Sequence, residues 1–213
     1  MSPADSVFTR LQAIVDVDAA ARMQWPAVDL ARAFLDGGAT WIQIRAKQLP
    51  SGEFLELAES CVTLAQAYRA VVIVNDRVDI ARLAGASGVH VGQDDLSPTE
   101  ARRLLGSDAI VGYSTHSLAQ VEGALQEPIS YLAVGPVFGT TSKDTGYDAV
   151  GLDFVAAAFR LAAPMPVVGI GGITLEKARS VIEAGATSVA IISDLLISGD
   201  PIGRTRACLQ TLA

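Results

Sequence analysis

Val71-Val72-Ile73-Val74-Asn75-Asp76, then Arg77-Val78-Asp79-Ile80-Ala81-Arg82-Leu83-Ala84-Gly85, then Val89-His90-Val91-Gly92-Gln93-Asp94-Asp95 reads as strand, helix and return strand. The two β-branched runs are short, and each ends abruptly in polar residues. The intervening segment carries helix formers and stops at a glycine. Asp76 and Asp95 stand nineteen residues apart, room for one crossover helix and a second parallel strand. In adjacent parallel strands both carboxylates open onto one rim of the sheet. Two carboxylates on a rim suit a hard divalent cation such as Mg²⁺, usually shared with substrate phosphates.

Working outward, the same unit repeats along the chain. Strands are predicted over residues 11–17, 41–45, 71–75, 88–91, 110–113, 131–134, 167–170 and 188–192. Helices are predicted over 27–36, 53–69, 78–84, 98–105, 118–126, 152–162, 175–184 and 202–212. Ser97 before Pro98, with Glu100 three residues on, reads as an N-cap with proline at the first helical position and a capping box. Thr174 before Leu175-Glu176-Lys177 is a similar start. Gly37-Gly38, Gly85 and Gly185 suit helix C-termini. Eight strand–helix pairs in 213 residues predict one α/β domain over 1–213, a (β/α)₈ TIM barrel. A doubly wound sheet is the alternative. It would need a G-x-G-x-x-G turn after the first strand, where Asp16-Val17-Asp18 stands instead.

Half the residues are hydrophobic and the mean hydropathy is +0.37. Parallel strands buried on both faces produce that value. No apolar run approaches the ~18–20 residues of a membrane span, and residues 1–10 carry no signal-peptide core, so a cytoplasmic protein is expected. A net charge of −7 argues against a nucleic-acid partner, though a few focused cations can still dominate one cleft. Cys61 and Cys208 lack metal spacing and read as small buried hydrophobes.

Polar residues gather after the strands, the end at which barrels carry their chemistry. They are Gln43, Arg45 and Lys47, then Asn75-Asp76-Arg77, Gln93-Asp94-Asp95 and Ser114-Thr115-His116. Gly139 to Lys143, Gly171-Gly172 and Ser193 complete the set. Residues before the strands are mostly Ala, Gly, Ser and Thr. Gln43, Arg45 and Lys47 alternate, so they face the barrel interior, where charge is costly unless it holds an ion or ligand. Anion binding is the leading reading for them; structural ion pairs compete, with Asp76 and Asp95 pairing to Arg77, Arg45 or Lys47. Asp94 reads as solvent-facing or a turn cap, and His90 as a packed core histidine. His116 reads equally as a catalytic group or a helix cap. Gly171-Gly172 before Ile173-Thr174 suits a phosphate cradle at a helix N-terminus, with Ile192-Ser193 the matching end of strand eight. Residues 139–146 form the longest non-periodic loop, a natural lid whose Lys143 can close over phosphate charge; an ordinary connecting loop is the alternative.

In this order, the segments that carry these residues resemble the thiamine-phosphate synthase family over nearly the whole chain: Gln43-Ile44-Arg45-Ala46-Lys47, Val74-Asn75-Asp76, His90-Val91-Gly92-Gln93-Asp94-Asp95-Leu96, Gly112-Tyr113-Ser114-Thr115-His116, Gly135-Pro136-Val137-Phe138, Thr140 to Lys143, Ile170-Gly171-Gly172-Ile173 and Ile191-Ile192-Ser193. The resemblance implies a TIM-barrel transferase of thiamine biosynthesis. It would join 4-amino-5-hydroxymethyl-2-methylpyrimidine diphosphate to a thiazole phosphate and release pyrophosphate. It further implies that Gln43, Arg45, Lys47, Asn75, Ser114 and Lys143 hold the pyrimidine diphosphate. Asp76 and Asp95 would hold Mg²⁺, and Thr140, Thr141, Ser142, Gly172, Ile192 and Ser193 the thiazole phosphate.

Those residue types fit that chemistry. The aminopyrimidine can delocalise the cation left when pyrophosphate departs, and Arg45, Lys47, Lys143 and Mg²⁺ would stabilise the departing charge. A thiazole nitrogen attacks with its own lone pair, so orientation suffices and no general base is needed. The lid departs from the family's Pro-Thr-x-Thr-Lys, reading Gly139-Thr140-Thr141-Ser142-Lys143, and strand one keeps only part of the family pattern. The rivals are a thiazole tautomerase on the same barrel, with His116 as its proton carrier, and a non-catalytic thiazole-phosphate-binding regulator. The partners implied are small-molecule substrates, with neither nucleic acid nor membrane; assembly into a homo-oligomer stays open.

Overall fold

In the computed structural model, residues 8–139 and 147–213 are described. The strands are β1 Leu11–Asp16, β2 Trp41–Arg45, β3 Val71–Asn75, β4 Gly88–Val91, β5 Ile110–Thr115, β6 Tyr131–Val134, β7 Val167–Ile170 and β8 Ser188–Ile191. They pair in chain order, all parallel, and β1 closes on β8 with Leu11 opposite Val189 and Ala13 opposite Ile191. Each turn of the chain adds a helix outside: α1 Val17–Arg22, α2 Ala27–Asp36, α3 Ser51–Gln66, α4 Val78–Leu83, α5 Pro98–Leu105, α6 Leu118–Ala124, α7 Gly151–Ala162, α8 Leu175–Glu183 and α9 Pro201–Leu212. This is the (β/α)₈ barrel expected from the repeated unit.

Local chemistry sets the boundaries. Ser97 Oγ accepts from Glu100 N–H at 3.2 Å, the predicted cap, with Pro98 following. Helix α8 ends where Gly185 turns to φ +110°, a conformation in which a side chain would be strained. Val17 is not in a strand: β1 stops at Asp16, whose Oδ1 accepts from Ala19 N–H at 2.8 Å and caps α1. That helix is an insertion that the period-two reading of 11–17 ran past. Strand β5 runs two residues beyond 113, to Thr115. Thr174 makes no side-chain cap; Leu175 N–H donates instead to Asp194 Oδ2 at 2.9 Å, from just past β8.

Helices bury one stripe each, as Leu30, Ala31, Phe34 and Leu35 do on α2. Cys61 and Cys208 are fully buried, and burial pushes both thiols up to about 12. The barrel interior is less apolar than its walls. Trp41 packs edge-on against Tyr131, with ring centroids 5.1 Å apart, and Phe8 leans on both. Above this aromatic floor, Gln12, Gln43 and His90 reach inward at 1%, 3% and 6% exposure. The bonds of Gln12 and His90 to Tyr131 join β1 and β4 to β6, strands that are not neighbours, so they cross the interior, while Gln43 bonds Gln12 on the adjacent strand. Gly112 makes the room: a Cβ there would stand 2.1 Å from Tyr131 Cζ.

Candidate active site

On the β2–β4 side the rim is ionic. Arg45, 9% exposed, pairs through Nη1 with buried Asp16, while its Nε has no partner among the described residues. Lys47 lies further out and pairs with Asp76. Both cations are therefore neutralised by carboxylates, but of the expected ion pairs the described residues form Lys47–Asp76, while Arg45 takes Asp16 instead, and the buried Nε still offers a proton to an incoming anion. Arg77 is drawn away from the rim, with Nε 2.8 Å from Asp79 Oδ1 and Nη1 3.1 Å from Ser51 Oγ.

Asp76 holds φ +64°, with its N–H donating to the His90 carbonyl at 2.8 Å and Arg77 N–H donating to Asn75 O at 2.8 Å. Asp95 Oδ2 accepts from Gly92 N–H at 2.7 Å. Burial is the main cause that pushes the Asp76 carboxyl above the usual range; Lys47 opposes it, and the neighbouring Asp95 charge adds to it. The two acids thus sense each other across one small space. No cluster of three or more His, Cys, Asp or Glu suited to a metal occurs among the described residues. Two carboxylates are the donor set expected where substrate phosphates and water complete an octahedral Mg²⁺ shell. Asn75 is buried beside them and Asp94 is exposed.

Ser114 closes the gap between the two halves of the mouth. Its Oγ lies 2.8 Å from His90 Nε2, and His90 Nδ1 lies 2.9 Å from Tyr131 Oη. His90 is buried, as a packed histidine should be, yet both its ring nitrogens are engaged. The N-cap of α6 is Ser117 rather than His116: Ser117 Oγ accepts from Gln120 N–H at 3.2 Å. The His116 Nδ1 lies 2.6 Å from the Gly135 carbonyl, and its ring stacks on Tyr147 at 3.9 Å.

The β5–β8 side holds a cavity of about 590 Å³. Gly171, Gly172, Ile192 and Ser193 line it, together with Ser114, Thr115 and His116. Gly172 takes φ +64°, and a Cβ there would meet Gly139 O at 2.4 Å. Phe138 N–H donates to Gly171 O at 2.9 Å, so the root of the predicted lid is tied to the predicted phosphate turn. Thr140, Thr141, Ser142 and Lys143 lie outside the described residues. The carboxylate pair does not line this cavity. It sits across the mouth, with Ser114 between the two regions.

Several wall residues escaped the sequence reading. Ala19 and Arg22 come from the inserted α1 and Met23 from its C-terminal cap, and Lys177 from the first turn of α8, its Nζ 4.7 Å from the centre of the Phe138 ring. Asp194 also lines the wall. It is the middle residue of a 3₁₀ turn, Ser193–Leu195, is 7% exposed, and is gripped by Arg204 at 2.9 Å. A lone acid in the apolar run 189–196 was its one sequence signal.

Residues 11–195 match the family model described as thiamine monophosphate synthase. The chain is 44% identical over 205 residues to a thiamine-phosphate synthase of Koribacter versatilis, covering 95% of each. It is 46% identical over 171 residues to that of Anaeromyxobacter dehalogenans, covering 80% of this chain and 76% of the relative. Among solved structures, a thiamine phosphate pyrophosphorylase from Pyrococcus furiosus superposes with a TM-score of 0.87 at 31% identity, covering 97% of this chain and 96% of that one.

Proposed function

The chain belongs to the thiamine monophosphate synthase family, and from that membership we propose a division of labour across its barrel mouth. It is a transferase that makes thiamine phosphate. The β2–β5 side would take the pyrimidine diphosphate through Gln43, Arg45, Lys47, Asn75 and Ser114. The β6–β8 side would take the thiazole phosphate through Gly171, Gly172, Ile192 and Ser193, with Thr140 to Ser142 and Lys143 from the lid. Lys143, Arg45, Lys47 and Ser114 would act on the reacting groups.

One observation carries this reading: two facing carboxylates among cations on one side of the mouth, and a glycine-walled cavity on the other, with Ser114 between them. Asp76 and Asp95 would hold Mg²⁺, which when bound supplies positive charge to the departing pyrophosphate. Arg45 contributes its unpartnered Nε–H to the same anion. Lys47, now on Asp76, is free to turn to phosphate once a cation takes over that carboxylate. The cavity holds the thiazole so that its ring nitrogen faces the cationic pyrimidine carbon, which is catalysis by orientation. For the isomerase alternative His116 would have to shuttle protons. Its Nδ1 is engaged by Gly135 O and its ring by Tyr147, which favours an anchoring role.

No helix among the described residues is long and apolar enough to cross a membrane. A cytoplasmic setting, one catalytic domain, small-molecule substrates only and assembly as a homo-oligomer belong to the same proposal. Its test supplies both phosphorylated substrates with and without Mg²⁺ and follows pyrophosphate and thiamine phosphate. Coupling should require the metal, and Asp76→Ala should abolish the Mg²⁺-dependent turnover. Full activity in Asp76→Ala would make that carboxylate structural, and coupling undiminished after chelation would remove the metal from the reading.

A further inference from the structure

We propose that His90 is a positioning residue that locks the Ser114 hydroxyl as a one-way donor toward an anionic oxygen of the substrate on the carboxylate side. The inference rests on the assignment of Ser114 to the diphosphate substrate. Its basis is a chain of hydrogen bonds whose direction is set at the far end. Gln43 Nε2 donates to Gln12 Oε1 at 3.4 Å, and Gln12 Nε2 donates to Tyr131 Oη at 3.3 Å. An amide nitrogen has only protons to give, so Tyr131 Oη accepts there and passes its own proton onward. The next partner is His90 Nδ1 at 2.9 Å. Burial raises the pKa of the Tyr131 phenol, which keeps that proton in place.

A ring whose Nδ1 accepts from a phenol is the neutral tautomer with its proton on Nε2. That Nε2 is 2.8 Å from Ser114 Oγ, so the ring donates to the hydroxyl. Ser114 then has one proton left, and a hydroxyl that accepts from an N–H is a stronger donor in turn. With the polarity reversed, Ser114 would spend its proton on the ring and present only lone pairs to a phosphate oxygen. The His90 carbonyl accepts from Asp76 N–H at 2.8 Å, so one residue orients both the hydroxyl and a metal carboxylate. Gly112 lets the ring and phenol meet: a Cβ there would stand 2.5 Å from His90 Nδ1 and 2.4 Å from Tyr131 Oη.

The protein has two histidines, so ¹⁵N-histidine labelling gives two ring systems, assigned with His116→Gln. His90 should show a protonated Nε2 and a bare Nδ1 at neutral pH. A proton on Nδ1, or on both nitrogens, overturns the proposal. In steady-state kinetics His90→Leu should lower kcat/KM for the pyrimidine diphosphate by about tenfold or more. His90→Gln, whose amide N–H can stand in for Nε2–H, should recover most of that loss. In a Ser114→Ala background His90→Leu should cost nothing further. Equal loss in both backgrounds means a purely structural His90 and overturns the proposal alone. Unchanged kinetics in Ser114→Ala itself overturn the assignment of Ser114, and the proposal with it. If His90→Leu fails to fold, the tautomer measured in the wild type still decides.

Discussion

At φ +64°, Asp76 holds a left-handed conformation that costs an L residue about 1–2 kcal/mol. Its carboxyl is also made harder to ionise by burial and by Asp95. Both penalties disappear in Asp76→Gly, while the lost ion pair was with Lys47, whose side chain is 42% exposed and contributes little. Asp76→Gly should therefore fold as stably as the wild type or about 1 kcal/mol more so, yet lose Mg²⁺-dependent turnover. Urea denaturation beside a Mg²⁺ titration of activity checks both halves. A clear loss of stability would mean that the turn depends on the carboxylate. Strain kept at a residue that does nothing for stability marks it as functional. Position 45 carries a different lesson. The alternation of Gln43, Arg45 and Lys47 was legible, but the partner of Arg45 was not. Asp16 reaches Arg45 because β1 and β2 align those two residues.

Among the elements, α8 shows how a binding turn is braced. Its first N–H goes to Asp194, a carboxylate otherwise costly so close to a proposed phosphate site. Arg204 on α9 neutralises that acid, with Nη2 at 3.0 and 2.9 Å from its two oxygens. Removing the guanidinium leaves a buried carboxylate with an N–H but no counter-charge. Arg204→Ala should cost about 2–4 kcal/mol in chemical denaturation and raise KM for the thiazole phosphate more than for the pyrimidine diphosphate. Equal KM changes for the two substrates would separate the brace from the cavity. Thr174 looked like the cap of α8 because local sequence favours a hydroxyl there. The actual cap arrives from the neighbouring βα loop, whose position only barrel closure decides.

At the scale of the whole molecule, the barrel interior is a polar network over an aromatic floor, and space inside it is limiting. Gly112→Ala would put a methyl 2.1 Å from Tyr131 Cζ and 2.5 Å from His90 Nδ1, on the two strands that flank β5 and cannot retreat without opening the barrel. It should destabilise the fold by about 3 kcal/mol, seen as a lower unfolding midpoint. Gly123→Ala, where an added Cβ meets nothing within 4 Å, is the control and should leave stability unchanged or improve it. A stable Gly112→Ala would show that Tyr131 can move, and with it the relay to Ser114.

The sequence by itself determined the repeated unit, the eight strands in their order, and the rim on which Asp76, Asp95, Ser114 and the glycine pair collect. These follow from periodicity and turn chemistry, which act over a few residues and so are written locally. Only the tertiary structure decided that Asp16 faces Arg45, that Asp194 caps α8, that α1 walls the cavity, and that Gln43, Gln12, Tyr131, His90 and Ser114 form one chain. Those contacts join residues far apart in sequence. Closing eight strands into a ring is what sets which interior side chains meet, and no window of local sequence contains that closure.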